Sequence, residues 1–282
     1  MPTNPVSSPC NSATGLHYEV YGSGEPILAV HGLGASLYSW RKLKGRLTNH
    51  KLILVDLKGH GQSPKPHDTN YSIPEQAELV LQFIREQDLQ NLTLMGNSYG
   101  GAVSLMVAIR LCQEEPGRLS KLILIDSAGY SQDLPWHLKL LRLPVFGWLT
   151  LHLAPPSMNT LTVLRYSYYK KRLIEWNQVR TYAKPIGSPG GRYALLQVAQ
   201  QAVPDTFEEL TAQYPTICVP TLIVWGREDR VIPLGIGEKL EHDIPDSRLV
   251  ILDKTGHVPQ EENPEETIAA ILDFLKDPHP GQ

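Results

Sequence analysis

The sequence predicts an α/β fold: a mostly parallel central sheet flanked by helices, with a helical cap inserted near the middle. Three observations carry this expectation. The runs "ILAV", "LILV", "LILI" and "LIVW" are almost unbroken apolar stretches, the pattern of parallel strands buried on both faces. Helical patterns alternate with them, as a parallel sheet requires. Between Tyr130 and Val203 the strand rhythm stops and only helical patterns remain. A chain of 282 residues can hold one large α/β domain carrying such an insertion.

Taken in order, "LHYEVYG", "PILAVHG" and "HKLILVDLKG" read as the first strands, each closed by a glycine turn. "PEQAELVLQFIREQDL" reads as a helix, "NLTLMGNS" as a strand, "GGAVSLMVAIRLCQEEP" as a helix and "SKLILIDSAG" as a strand. The insertion comes next, helical but broken by Pro144, Pro155, Pro156, Pro185 and Pro189, and dense in Trp, Tyr and Leu. Then come the strands "PTLIVWGRED" and "SRLVILDKTG". A last helix, "NPEETIAAILDFLKD", starts with Asn263 as cap, Pro264 in the first helical position and Glu266 at capping-box spacing. Residues 1–129 and 204–282 are expected to form the core and 130–203 the cap. No internal repeat appears.

Composition narrows the function classes. Apolar content of 41% supports a real core, and charged content of 20% is ordinary for a soluble protein. A net charge of -3 without a Lys/Arg run gives no electrostatic case for nucleic acid. Cys10, Cys112 and Cys218 show no metal-ligand spacing, so neither a zinc site nor a disulfide framework is expected. They read as one tail residue and two small packing residues. "MPTNPVSSPCNSATG" lacks the basic and apolar regions of a secretory signal, and "LPVFGWLTLHLAPP" is too short to span a bilayer. A soluble, cytoplasmic protein is the expectation. Nothing in the sequence indicates an oligomeric state.

In an open parallel sheet, ligands bind beyond the carboxyl ends of the strands. Just past the ends of the apolar runs lie His31-Gly32-Leu33-Gly34, Asp56, Ser98, Asp126, Asp229 and His257, which places all of them on one rim. A serine hydroxyl needs a histidine to take its proton, and that histidine needs a carboxylate to fix its tautomer. Ser98 lies in "MGNSYGGA", between a strand and a helix. Gly96 and Gly100 would make room for a strained turn there, and Gly101 for close helix packing. Asp126 and Asp253 compete with Asp229 for the acid role. Asp229 has its own bland reading as a turn residue paired with Arg227 or Arg230. Asp56, His31 and His60 read as loop-ordering residues. No metal or organic cofactor is implied.

With "HGLGAS", "DLKGHGQS", "GNSYGG", "GREDRVIP" and "GHVPQEENPEE" in that order, the chain resembles the α/β-hydrolase superfamily, in particular serine esterase- or lipase-like members with a helical cap. The resemblance implies Ser98 as nucleophile, Asp229 as acid and His257 as base. It also implies an oxyanion hole from the backbone N–H groups of Leu33 and Tyr99. The lower face of a lid would roof such a site. Trp136, Trp148, Tyr166 and Tyr169 are therefore candidates to line an apolar pocket, with Asn97 and Val258 beside the triad. The implied activity is hydrolysis of a small apolar ester. Asn97 beside Ser98 keeps open cleavage of a carbon–carbon bond in ring-fission products, but the short "HGLGAS" loop and Val258 after His257 depart from that pattern. A small-molecule receptor on a hydrolase scaffold is the third reading. A serine in place of an aspartate nucleophile disfavours dehalogenase and epoxide hydrolase chemistry.

Overall fold

The computed structural model describes residues 10–203 and 207–276. Its eight strands form one sheet: β1 (Cys10–Asn11), β2 (His17–Tyr21), β3 (Glu25–Val30), β4 (His50–Val55), β5 (Leu92–Asn97), β6 (Leu119–Ile125), β7 (Thr221–Gly226) and β8 (Ser247–Leu252), in the order β1-β2-β4-β3-β5-β6-β7-β8. The pairs β1–β2 and β2–β4 are antiparallel, and every later pair is parallel. The strand order reverses between β3 and β5, which opens a crevice at their carboxyl ends. Cys10 is thus part of an edge strand, opposite Tyr18, and not of a tail.

Alternate strand residues serve opposite faces. Leu28, Val30, Leu94, Leu124 and Trp225 pack against α1 (Ile73–Glu86), α2 (Tyr99–Glu114) and residues after β7. Ile27, Ala29, Met95, Ile125 and Val224 pack on the other face, against Trp40 and the last helix. Both faces are dry, which is why the strands read as continuous apolar runs.

Five helices follow β6 within the inserted segment: α3 (Trp136–Arg142), α4 (Pro144–Leu153), α5 (Pro156–Ser167), α6 (Trp176–Ile186) and α7 (Gly191–Gln201). Pro144 and Pro156 occupy first helical positions, where a missing N–H costs nothing. Tyr130, expected at the start of the cap, packs edge-on against Tyr214 and donates to Asp243. The chain therefore leaves the core only after it. The far boundary, at residue 204, lies outside the described residues.

The short α8 (Phe207–Thr211), α9 (Leu234–Asp243), α10 (Pro259–Glu262) and α11 (Pro264–Lys276) complete the core. α11 starts where expected, but not by the expected cap. The Asn263 amide donates to Thr255 Oγ1 at 3.1 Å, and its backbone carbonyl accepts from the Thr267 N–H and hydroxyl. Glu266 is exposed and closes no capping box among the described residues.

Two cysteine readings fail. Cys112 in α2 and Cys218, just before β7, form a disulfide across 106 residues, with Cα atoms 5.8 Å apart. The packing of α2 beside the entry to β7 creates this proximity, which no sequence spacing announces. No described helix is long and apolar enough to cross a membrane.

Candidate active site

Ser98 links β5 directly to α2 in a sharp elbow, with φ 56° and ψ -122°. A non-glycine residue holds such angles only where its surroundings fix them. Its N–H donates to Ile125 O at 3.1 Å, and its carbonyl accepts from Gly101 and Ala128. The glycines make the elbow possible. A Cβ at Gly96 would strike the Gly100 carbonyl, and one at Gly100 the carbonyls of Val30 and His31. One at Gly101 would strike Ser127 at the end of β6.

His257, in the loop after β8, brings Nε2 to 2.8 Å from Ser98 Oγ and Nδ1 to 2.7 Å from Asp229 Oδ2. A proton on Nδ1 satisfies the carboxylate and leaves Nε2 to accept from the hydroxyl. Asp229 Oδ1 accepts from the N–H groups of Val231 and Ile232, at 2.7 and 3.1 Å. Its side chain is fully buried and does not pair with Arg227, which binds Asp253 instead. That exposed pairing also removes Asp253 from the site.

Asp126, completely buried at the end of β6, accepts from the Gly226 N–H at 3.0 Å. Burial, and then the neighbouring charge of Asp229, hold its carboxyl well above the usual range. Asp126, Asp229 and His257 place three potential metal-ligand atoms within 4.8 Å. The His257 and Asp229 atoms of that group are already bonded to each other.

The loop after β3 passes directly over the elbow. A Cβ on Gly32 would lie 3.2 Å from Ser98 Cβ, so a side chain there would crowd the nucleophile. His31 shapes this loop: its Nδ1 bonds Gly32 O at 2.8 Å, and its Nε2 accepts from the Leu57 N–H. Burial lowers its pKa to about 4, so the ring is neutral. Asp56 holds the same region by accepting from the N–H groups of Leu37 and Gln62. Among the described residues, the N–H groups of Leu33 and Tyr99 donate to no protein acceptor.

A cavity of about 260 Å³ lies between this floor and the cap. Leu33, Asn97, Ser98, Trp136, His257 and Val258 line it, with aliphatic residues of α3, α4 and α5. Three pocket expectations fail. Trp148 stacks on His152 on the outside of α4. Tyr166 lies behind the lining, edge-on to His137 at 5.0 Å. Tyr169 is exposed, with its N–H bonded to Glu262. A short helix shows different residues to cavity and solvent, and aromatic content alone does not say which.

Asn97 has a structural task. Its amide donates to Ile125 O at 3.0 Å and His257 O at 3.3 Å, tethering the histidine loop to the sheet.

Sequence reasoning expected the cap to roof the site, with Trp136 in the lining, but missed its bond to the histidine loop and its second histidine. The N–H of His257 donates to Ser167 O, at the end of α5, at 2.8 Å. His137 lines the cavity with an unpartnered Nδ1. Burial above all lowers its pKa to about 4, so the ring is neutral. Ser39 and Thr160 add two further unpartnered hydroxyls. Its position directly after the Trp136 candidate was the only available signal for His137.

The strand order, the elbow after β5 and the acid–histidine–serine line define a hydrolase of the α/β class. The family model for the alpha/beta hydrolase fold matches residues 25–264, and the chain belongs to that family. It is similar to the uncharacterized hydrolase YugF of Bacillus subtilis, at 30% identity over 92% of this chain and 93% of that one. A 2-hydroxy-6-oxo-2,4-heptadienoate hydrolase of Pseudomonas putida is 29% identical over 90% of each chain. Lipase 3 of a Moraxella species is 28% identical over 90% of this chain and 79% of its own.

Proposed function

We propose that the chain is a cofactor-independent serine hydrolase that cleaves small carboxylic esters with an apolar moiety. The observation that carries the reading is the Ser98–His257–Asp229 line opening into a cavity with no Lys or Arg among its lining residues. Ser98 Oγ attacks the ester carbonyl while His257 Nε2 takes its proton. The N–H groups of Leu33 and Tyr99 receive the oxyanion, helped by the positive end of α2. The intermediate collapses, and His257 returns the proton to the departing alcohol. A water deprotonated by His257 then attacks the acyl-enzyme, which releases the carboxylic acid and restores Ser98. Asp229 keeps Nδ1 protonated and stabilises the imidazolium. The cavity is smaller than the ~300–1,000 Å³ typical of ligand sites, which favours a compact ester over a bulky one.

The Pseudomonas relative favours a second reading, carbon–carbon bond hydrolysis. A dienoate carries a carboxylate, however, and no Lys or Arg lines the cavity to receive it, Arg41 being paired with the lining Glu261. Asn97, the residue that kept this reading open, is occupied with the sheet and the histidine loop.

Labelling with a fluorophosphonate should occur and should vanish in Ser98→Ala. Unchanged labelling would sink the mechanism. A panel of nitrophenyl esters of rising acyl length, run beside a ring-fission dienoate, separates the two substrates. Turnover of the dienoate alone would replace the ester reading.

A further inference from the structure

Charge and exposed apolar surface are distributed very unevenly along this chain. Residues 130–203 carry nine Lys or Arg and two Asp or Glu, whereas the remainder carries seventeen and twenty-seven. In the sequence, a segment of net charge +7 is therefore set within a remainder of net charge -10. Every exposed large apolar side chain among the described residues also falls between Trp136 and Trp176. Phe146, Trp148, Leu153 and Met158 are each more than half exposed, and Leu153 reaches 77%. A soluble surface does not gather such residues without a partner for them.

The apolar and basic residues interleave on the same elements. Met158 and Arg165 are both exposed on α5. Lys171, Arg172 and Leu173 form one exposed turn, and the Arg180 guanidinium lies over the Trp176 ring at 5.8 Å. Among the described residues, Arg165, Lys171, Arg172 and Lys184 have no carboxylate partner, whereas Lys139 is paired with Asp133. The exposed apolar set reaches the cavity, because Trp136 and Val163 line it and are also exposed. They form its mouth.

We infer that the outer face of the cap docks on an anionic lipid surface, so that the cavity mouth opens against the membrane. Aliphatic and aromatic side chains enter the boundary between headgroups and acyl chains, and the unpaired cations meet lipid phosphates. A second copy of this chain fits less well, because symmetric pairing would set two net-positive segments against each other. A nucleic acid would take the charge but leave the aliphatic residues in water. Docking is measured as binding rather than turnover, so its failure is distinguishable from failure of the ester reading.

The test is co-sedimentation of the full chain with vesicles of phosphatidylcholine, pure or mixed with phosphatidylglycerol. The protein should pellet with the mixed vesicles, much less with the pure ones, and less again at about 0.5 M salt. Phe146→Glu combined with Leu153→Glu should weaken binding by about tenfold or more. Arg165→Glu, Lys171→Glu and Arg172→Glu together should abolish the preference for phosphatidylglycerol. None of these residues lines the cavity, so thermal melting and turnover of a water-soluble ester should stay close to wild type in both variants. Three outcomes overturn the inference. These are no wild-type binding, binding indifferent to lipid charge and salt, and a dimer that the Phe146/Leu153 variant converts to monomer without any vesicle binding having been present.

Discussion

Two buried aspartates follow neighbouring strands beside His257, and their hydrogen-bond partners give them different tasks. Asp229 accepts from His257 and from two backbone N–H groups. Asp126 accepts from Gly226, and burial and then the neighbouring Asp229 hold its carboxyl well above the usual range. Asp229→Asn should therefore lower kcat/KM by about 10³- to 10⁴-fold, since it presents the wrong tautomer to His257. Asp126→Asn imitates the protonated acid and should stay within roughly tenfold of wild type on the same scale. Equal losses would make the pair a single catalytic unit. The folded protein holds a proton on Asp126 that the unfolded chain releases above the ordinary carboxylate range. Stability from this group is thus present at low pH and lost as pH rises towards its elevated folded value. Asp126→Asn should raise the urea midpoint at about pH 8 and lose that advantage near pH ~4. An asparagine variant that is less stable, relative to wild type, at the higher pH than at the lower contradicts this. The sequence named both aspartates and favoured Asp229 only by the resemblance of its loop, because each otherwise simply follows an apolar strand. Their ranking depends on which carboxylate reaches Nδ1, and only the loop between β7 and α9 decides that.

At the scale of elements, the sheet was legible and the joint between cap and core was not. Strands β3 to β7 are buried on both faces, so their apolar runs carry the signal within the strand itself. The joint depends on pairs far apart in sequence. Glu261 in α10 accepts from Gln178 and Tyr182 of the cap and pairs with Arg41 of the core. Glu262 accepts from the N–H groups of Gly256, Tyr169 and Lys170, at 2.8, 3.1 and 2.5 Å. In the sequence both glutamates look like a charged helix start. In the fold they are buried and hold the histidine loop and the end of α5 together. Glu262→Ala strands three N–H donors, each costing on the order of 1–3 kcal/mol if left unsatisfied. It should lower the melting temperature and reduce kcat, because Gly256 adjoins His257. Glu262→Gln keeps one acceptor oxygen and should fall between alanine and wild type in both measurements. If alanine changes stability but leaves kcat untouched, the glutamate fixes the cap and not the histidine.

The whole molecule is closed by a bond that crosses these divisions. The Cys112–Cys218 disulfide links the far part of α2 to the entry of β7, and the 106-residue separation spans β6 and the entire cap. That separation made the pair invisible to spacing rules, which find bridges in small, cysteine-dense chains. The charge division between cap and core was present in the sequence, but it emerges only when residues are counted by segment. The bond persists where thiols are not kept reduced, which bears against the cytoplasmic expectation drawn from the first residues. Its contribution to stability comes from loop length. Closing a loop of this size in the unfolded chain is worth about 4–5 kcal/mol in the chain-entropy picture, and less where the unfolded chain retains structure. Reduction should therefore lower the urea midpoint without changing ester turnover below the transition, because neither sulfur lies among the residues around Ser98. Cys218→Ser should reproduce the reduced midpoint and should no longer respond to reductant. If oxidised and reduced protein instead unfold at the same urea concentration, α2 and the entry to β7 are already held by packing alone, and the bond adds nothing to the closure of the fold.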